Sequence, residues 1–168
     1  MAELRRVYWD SCVWLGLING EPKKLRAVDY IYNSAKSGSY EIWTSTLSFV
    51  EVYRIKGEEN GPKPYSSTSL DRIEGMFEQE FIKLVPVDLE IAKLARRLLR
   101  EQDGLKKRPD AVHLASAIRW SIGNLHTYDG NDLLHLDNKL KTKNGQVLRI
   151  TPPDEPPDGP LFQSPSTS

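Results

Sequence analysis

The sequence predicts an α/β fold with a mainly parallel central sheet. Two observations carry the expectation. Short runs rich in β-branched and aromatic residues alternate with longer runs of helical apolar spacing, the pattern of strands joined by crossover helices. Two of the strand-like runs also stop abruptly at an aspartate, Asp10 and Asp129, at the strand end where parallel sheets place their ligands.

Each element follows from its residues. Residues 6–9 read as a strand leading straight to Asp10. Residues 13–18 begin a short helix that Asn19-Gly20 breaks. Residues 23–35 set Leu25, Val28, Ile31, Tyr32 and Ala35 at helical spacing, and Lys36-Ser37-Gly38-Ser39 ends that helix. Residues 40–44 form a second strand, and Ser45 stands where it can cap a helix over 46–55. Residues 56–69 carry Gly, Pro, Ser and charge and make a surface loop. A helix over 70–79 and a strand over 82–87 follow. Asp88 caps an amphipathic helix whose apolar face is Ile91, Ala92, Ala95, Leu98 and Leu99. Pro109 suits the first turn of a helix running to Ile122, closed by Gly123-Asn124. Residues 125–128 form a strand ending at Asp129, and 147–150 form the last. From Thr151 six prolines fall in 18 residues, so the expected organisation is one folded domain over 1–150 and a disordered, Pro-rich acidic tail over 151–168.

A chain of 168 residues is long enough for one ordinary core. No apolar stretch approaches the ~18 residues that span a bilayer, and no signal-peptide pattern opens the chain. Cys12 is the single cysteine, which excludes an intrachain disulfide and suits a reducing, cytoplasmic setting; it reads as a small buried side chain. The formal net charge is zero, but 151–168 holds three acids and no Lys or Arg. The folded part is therefore slightly basic, which permits nucleic-acid binding without arguing for it.

Four carboxylates stand where core-facing elements begin or end. Asp10 and Asp129 end strands, Glu51 lies in the apolar run Leu47-Ser48-Phe49-Val50-Glu51-Val52-Tyr53, and Asp110 opens a helix of small and apolar residues. An ionised carboxylate buried without a partner is costly. Four acids brought to one sheet edge repel one another unless a Lys, an Arg or a divalent cation neutralises them. No Lys or Arg lies within four residues after Asp10, nor within four of Asp129 on either side. An all-oxygen ligand set suits Mg²⁺ or Mn²⁺.

Four blocks of the chain resemble the PIN-domain nucleases, in particular the small VapC-type toxins. They are Val7-Tyr8-Trp9-Asp10-Ser11-Cys12-Val13, Thr44-Ser45-Thr46-Leu47-Ser48-Phe49-Val50-Glu51-Val52, Asp110-Ala111-Val112-His113-Leu114-Ala115-Ser116-Ala117 and Leu125-His126-Thr127-Tyr128-Asp129. The resemblance spans residues 6 to about 150 and implies an α/β/α sandwich and a Mg²⁺- or Mn²⁺-dependent endoribonuclease. It implies Asp10, Glu51 and Asp110 as the core acids, with Asp129 the fourth. Ser11 and Thr127 match hydroxyl positions in support of them. Asp132 matches a further acid that family members often carry, and a turn-capping role is open to it equally. Tyr128 and Gly130 flank Asp129 where many members have a basic residue. A cognate antitoxin protein and a homodimer are implied as partners, with RNA as substrate.

Basic residues beside the acids are the expected phosphate contacts: Arg54 and Lys56 after Glu51, and Lys106, Lys107 and Arg108 before Asp110. His113, one turn from Asp110, fits either a satisfied core histidine or support of the acids. His126 and His135 lack zinc-site spacing. The four tryptophans read as core. A dehalogenase-type phosphotransferase needs an acid where Cys12 stands. A non-catalytic RNA- or protein-binding scaffold and a housekeeping RNA-processing nuclease stay open.

Overall fold

The computed structural model describes residues 3–157. Five strands form one sheet in the order β3-β2-β1-β4-β5: β1 Arg5–Trp9, β2 Tyr40–Ser45, β3 Ile82–Val85, β4 Asn124–His126 and β5 Arg149–Thr151. Every neighbouring pair is parallel. β1 is central, and its last three residues, Val7, Tyr8 and Trp9, are buried. Its pleat sends Tyr8 into one core cluster and Val7 and Trp9 into the other, as the two-residue period of a strand requires.

Helices lie on both faces. α5 (Leu89–Glu101) and α6 (Arg108–Arg119) pack on the face of Tyr8, Leu125 and Ile150. α1 (Ser11–Ile18), α2 (Leu25–Lys36) and α4 (Ser67–Phe77) pack on the face of Val7, Trp9 and Ile42. There Trp14 meets Trp9 edge-on at 4.9 Å and Phe77 at 4.6 Å. α6 is buried nearly all round, which explains its small side chains Ala111, Ala115, Ser116 and Ala117. Asp88 caps α5 by accepting from the Ile91 N–H at 2.9 Å. No helix among the described residues is long and apolar enough to cross a membrane.

Several boundaries, and the face of one residue, differ from the sequence expectation. The helix expected over 46–55 is α3, Leu47–Glu51; Val52 leaves helical geometry (ψ 66°) and is buried in the core, so chain packing outweighs the weak local helix preference of a β-branched residue. Ala92 faces solvent because the stripe of α5 that reaches the core is Ile91, Ala95 and Leu98. The loop over 56–69 contains a short 3₁₀ turn, Lys56–Glu58, and ends earlier because Ser66 caps α4. The last strand is shifted, since Val147 instead bridges antiparallel to Lys141. Thr151, assigned above to the tail, belongs to β5, and Pro153 and Pro156 are buried. The rest of the expected tail, 158–168, lies outside the described residues.

Candidate active site

The parallel sheet brings the C-terminal ends of β1 and β4 side by side, with Trp9 in register with His126. Asp10 and Asp129 follow those ends. Asp10 is the N-cap of α1 and accepts from the Val13 N–H at 3.3 Å, so the chain turn that starts the helix also fixes the carboxylate. It is 2% exposed, and burial pushes its carboxyl up, against the pull of His113, the Cys12 thiol, Thr127 and Val13.

Cys12 is not an inert filler. Its Sγ lies 2.9 Å from Asp10 Oδ1 and donates to it, while it accepts from the Tyr128 N–H at 3.2 Å. Burial and the adjacent Asp10 push the thiol up, so it serves as a neutral donor. Thr127 is buried, contacts Cys12 Sγ at 3.5 Å, and accepts from the Asp129 N–H at 2.9 Å. Thr127 and Cys12 therefore tie the two strand-end aspartates together.

Asp110, in the first turn of α6, joins Asp129 and Asp132: one oxygen from each lies within 4.8 Å of the others. Asp110 Oδ2 is buried without a hydrogen-bond partner. Burial first, and then Asp129, raise the Asp110 carboxyl to about 7. Asp129 goes the other way. Burial would raise it, but Lys107 and the N–H groups of Asp132 and Asn131 hold it down at about 2. Two like charges this close separate into an easily ionised and a reluctant member.

Lys107 supplies the positive charge that no residue adjacent in sequence provides. Its Nζ lies 2.8 Å from Asp129 Oδ2 and 3.9 Å from Asp110 Oδ2. The expectation of a rim phosphate contact thus meets a lysine turned into the acidic cluster. Asp132 makes this possible. It is buried and accepts from the Lys106 N–H at 2.9 Å and the Lys107 N–H at 2.7 Å, anchoring the loop that precedes α6.

Glu51 reaches the site by a different route. Its Oε1 contacts His113 Nε2 at 2.5 Å, and its Oε2 accepts from the Ser11 hydroxyl at 3.2 Å. Of the four acids, the one Ser11 bonds is therefore Glu51, although it adjoins Asp10 in sequence. His113 is fully buried, and its Nδ1 lies 2.8 Å from the Tyr8 hydroxyl, which accepts from the Ser45 N–H at 3.0 Å. Assigning the Tyr8 proton to Nδ1 leaves the ring proton on Nε2, donated to Glu51. Tyr8 was not among the expected site residues, whereas His113 was open to a core or a supporting role, and it is both buried and bonded to Glu51. The signal for His113 was its place one turn past Asp110 among small and apolar residues; nothing in the sequence singled out Tyr8.

The remaining basic residues do not gather at the acids. Arg54 and Lys56 line a cleft of about 370 Å³ that opens beside Glu51. Lys106 and Arg108 are exposed. Lys24 stands over the Tyr128 ring at 4.5 Å and pairs with Glu21 at 2.8 Å. His126 is buried against the Trp9 indole, and burial lowers it to about 4. A larger groove, about 810 Å³, lies at the opposite end of the sheet, by Arg5, Tyr40 and Asn124.

These donors fit a hard divalent cation. The set is all oxygen, and Asp110 Oδ2 has a buried lone pair that no protein donor satisfies.

A model of the PIN domain matches residues 7–139. Among solved structures, the chain is similar to the Mycobacterium tuberculosis toxin VapC20 (Rv2549c), described as sarcin–ricin loop cleaving, at 16% identity and a TM-score of 0.59, covering 74% of this chain and 91% of that one. It is also similar to VapBC2 from Rickettsia felis, solved bound to a DNA fragment from its promoter, at 13% identity and a TM-score of 0.58, covering 89% of this chain and 99% of that one. At such identities the likeness concerns the fold. No curated protein matches in sequence.

Proposed function

Because this chain belongs to the PIN domain family, we propose that it is a Mg²⁺- or Mn²⁺-dependent endoribonuclease that hydrolyses RNA phosphodiester bonds, acting as the toxin of a type II toxin–antitoxin pair. The single observation that carries the reading is the cluster of Asp110, Asp129 and Asp132 with its unpartnered buried oxygen, linked through Thr127 and Cys12 to Asp10.

Asp10, Asp110 and Asp129 would hold the cation, with Glu51 beside them. Bound there, it would lower the pKa of a coordinated water and polarise the scissile phosphate. The chain's own residues do the rest. Glu51 takes the proton of the attacking water at Oε2, which shares only the Ser11 hydroxyl, while His113 fixes Oε1. Asp132 keeps the Lys107 loop in place, and Lys107 offers its ammonium to the phosphate. Arg54, Lys56, Lys106 and Arg108 hold flanking phosphates by charge. A cognate antitoxin covers the acidic groove, the toxin acts in the cytoplasm, and it works as a homodimer.

The test is cleavage of a panel of structured RNAs by wild type and Asp10→Asn, with Mn²⁺ or Mg²⁺ and an EDTA control. Wild type cuts only with metal, and the variant loses more than about 100-fold in rate with an unchanged circular dichroism spectrum. Equal cleavage by both proteins in an RNase-free preparation would sink the assignment.

A further inference from the structure

α3 ends at Glu51, Val52 turns inward, and the next residue emerges with its ring free: Tyr53 is 51% exposed. Such exposure is unneeded for the core, which already holds Phe77, Trp9 and Trp14. The Tyr65 ring lies 6.4 Å from the Tyr53 ring, with an interplanar angle of 29°. The Arg54 guanidinium is 5.3 Å from the Tyr53 centroid, and Lys63 Nζ is 6.0 Å from that of Tyr65. Two near-parallel tyrosines thus stand together with a cation beside each, and Tyr53 and Arg54 line the cleft of about 370 Å³, whose wall continues through Glu51, Lys56, Asn19 and Glu21.

The platform is built before any ligand arrives. Asn19 Oδ1 accepts from the Lys56 N–H at 2.9 Å. Glu58 accepts from the Ile55 N–H at 2.9 Å and from the Ser69 hydroxyl at 2.7 Å. Glu58 is therefore used up in holding the loop, which leaves Glu59 as the acid of the loop on the cleft, beside Arg54 and Lys56, while Glu51 and Glu21, the latter paired with Lys24 at 2.8 Å, form its other acidic walls. Aromatic faces with interleaved cations suit a base and its phosphates, since every base has a π-face and every nucleotide a negative charge.

We propose that Tyr53 and Tyr65 form a stacking platform for an unpaired nucleobase of RNA beside the scissile bond, with Arg54, Lys56 and Lys63 taking the adjoining phosphates. The proposal rests on the nuclease reading and names a subsite for its substrate. The subsite begins where Glu51 ends, so it selects for a strand that has left its duplex before it enters the acidic site.

The experiment uses full-length Asp10→Asn protein in EDTA, and RNA oligomers carrying 2-aminopurine at successive positions. One position is quenched on binding. Tyr53→Ala and Tyr65→Ala, added to Asp10→Asn, lose that quench and bind about 5- to 150-fold more weakly, whereas Tyr53→Phe keeps both. An abasic RNA at the quenched position binds Asp10→Asn more weakly but costs the Tyr53→Ala form nothing further, a coupling that general loss of structure does not produce. Full affinity and quench in both alanine variants overturns the platform; this is also the outcome if the cleft serves a protein partner. RNA binding with no quenched position overturns it too, leaving the nuclease reading intact. Absence of RNA binding in every form overturns the platform, while the nuclease reading stands or falls separately on the metal-dependent cleavage panel.

Discussion

Replacing Asp110 by Asn removes a charge that the metal-free fold tolerates poorly. Its carboxyl is raised from the ordinary 3.8 to about 7, chiefly by burial and then by Asp129. At ~1.4 kcal/mol per pH unit, ionised Asp110 costs the folded state about 4 kcal/mol. The sign follows from proton counting. Between those two values the folded protein holds a proton that the unfolded chain has released, so stability falls as pH rises through this window and levels off above about 7. The amide introduced by Asp110→Asn carries no such charge. The attraction of Lys107, 3.9 Å away and 57% exposed, is already among the causes that set this value, so its loss is not subtracted again. The net expectation is a variant more stable than wild type by about 4 kcal/mol at pH 8, with the advantage about 2.5 kcal/mol smaller at pH 5. Urea unfolding in EDTA measures it, followed by the fluorescence of the buried Trp9 and Trp14. Adding Mn²⁺ at pH 8 stabilises wild type more than the variant. Equal or lower stability of the variant at pH 8, or an advantage indifferent to pH, would refute the electrostatic account of the cluster.

Two further perturbations probe the same neighbourhood. Lys107→Met removes the ammonium 2.8 Å from Asp129; the Asp129 carboxyl climbs from about 2 toward its ordinary range, stability changes by less than about 1 kcal/mol, and Mn²⁺ binds more tightly by calorimetric titration because a competing cation is gone. Weaker Mn²⁺ binding by this variant would contradict the placement of Lys107 in the cluster. Asp132→Ala strips the acceptor from two backbone N–H groups in a buried setting, and a loss of about 1–3 kcal/mol is expected from denaturant unfolding; a change within about 0.5 kcal/mol means that the loop holds without it.

What the sequence determined was local. Alternating strand and helix periods set the α/β class, because side-chain direction repeats every two residues in a strand and every 3.6 in a helix whatever lies elsewhere. Asp88 and Pro109 marked helix starts for the same reason: a cap or a missing N–H acts within one turn. The family blocks named the acids Asp10, Glu51, Asp110 and Asp129 by position. Partners were a different matter. Lys107 neutralises Asp129 from across a gap in sequence, His113 on α6 holds Glu51 on α3, and Tyr8 on the central strand holds His113. Ser11 serves Glu51 although it adjoins Asp10, and α3 stops at Glu51 only because Val52 finds a place in the core. A residue's chemistry is written in its side chain, but the group it meets depends on which loops the parallel crossovers bring to the same sheet edge. That convergence exists only once the strands have paired.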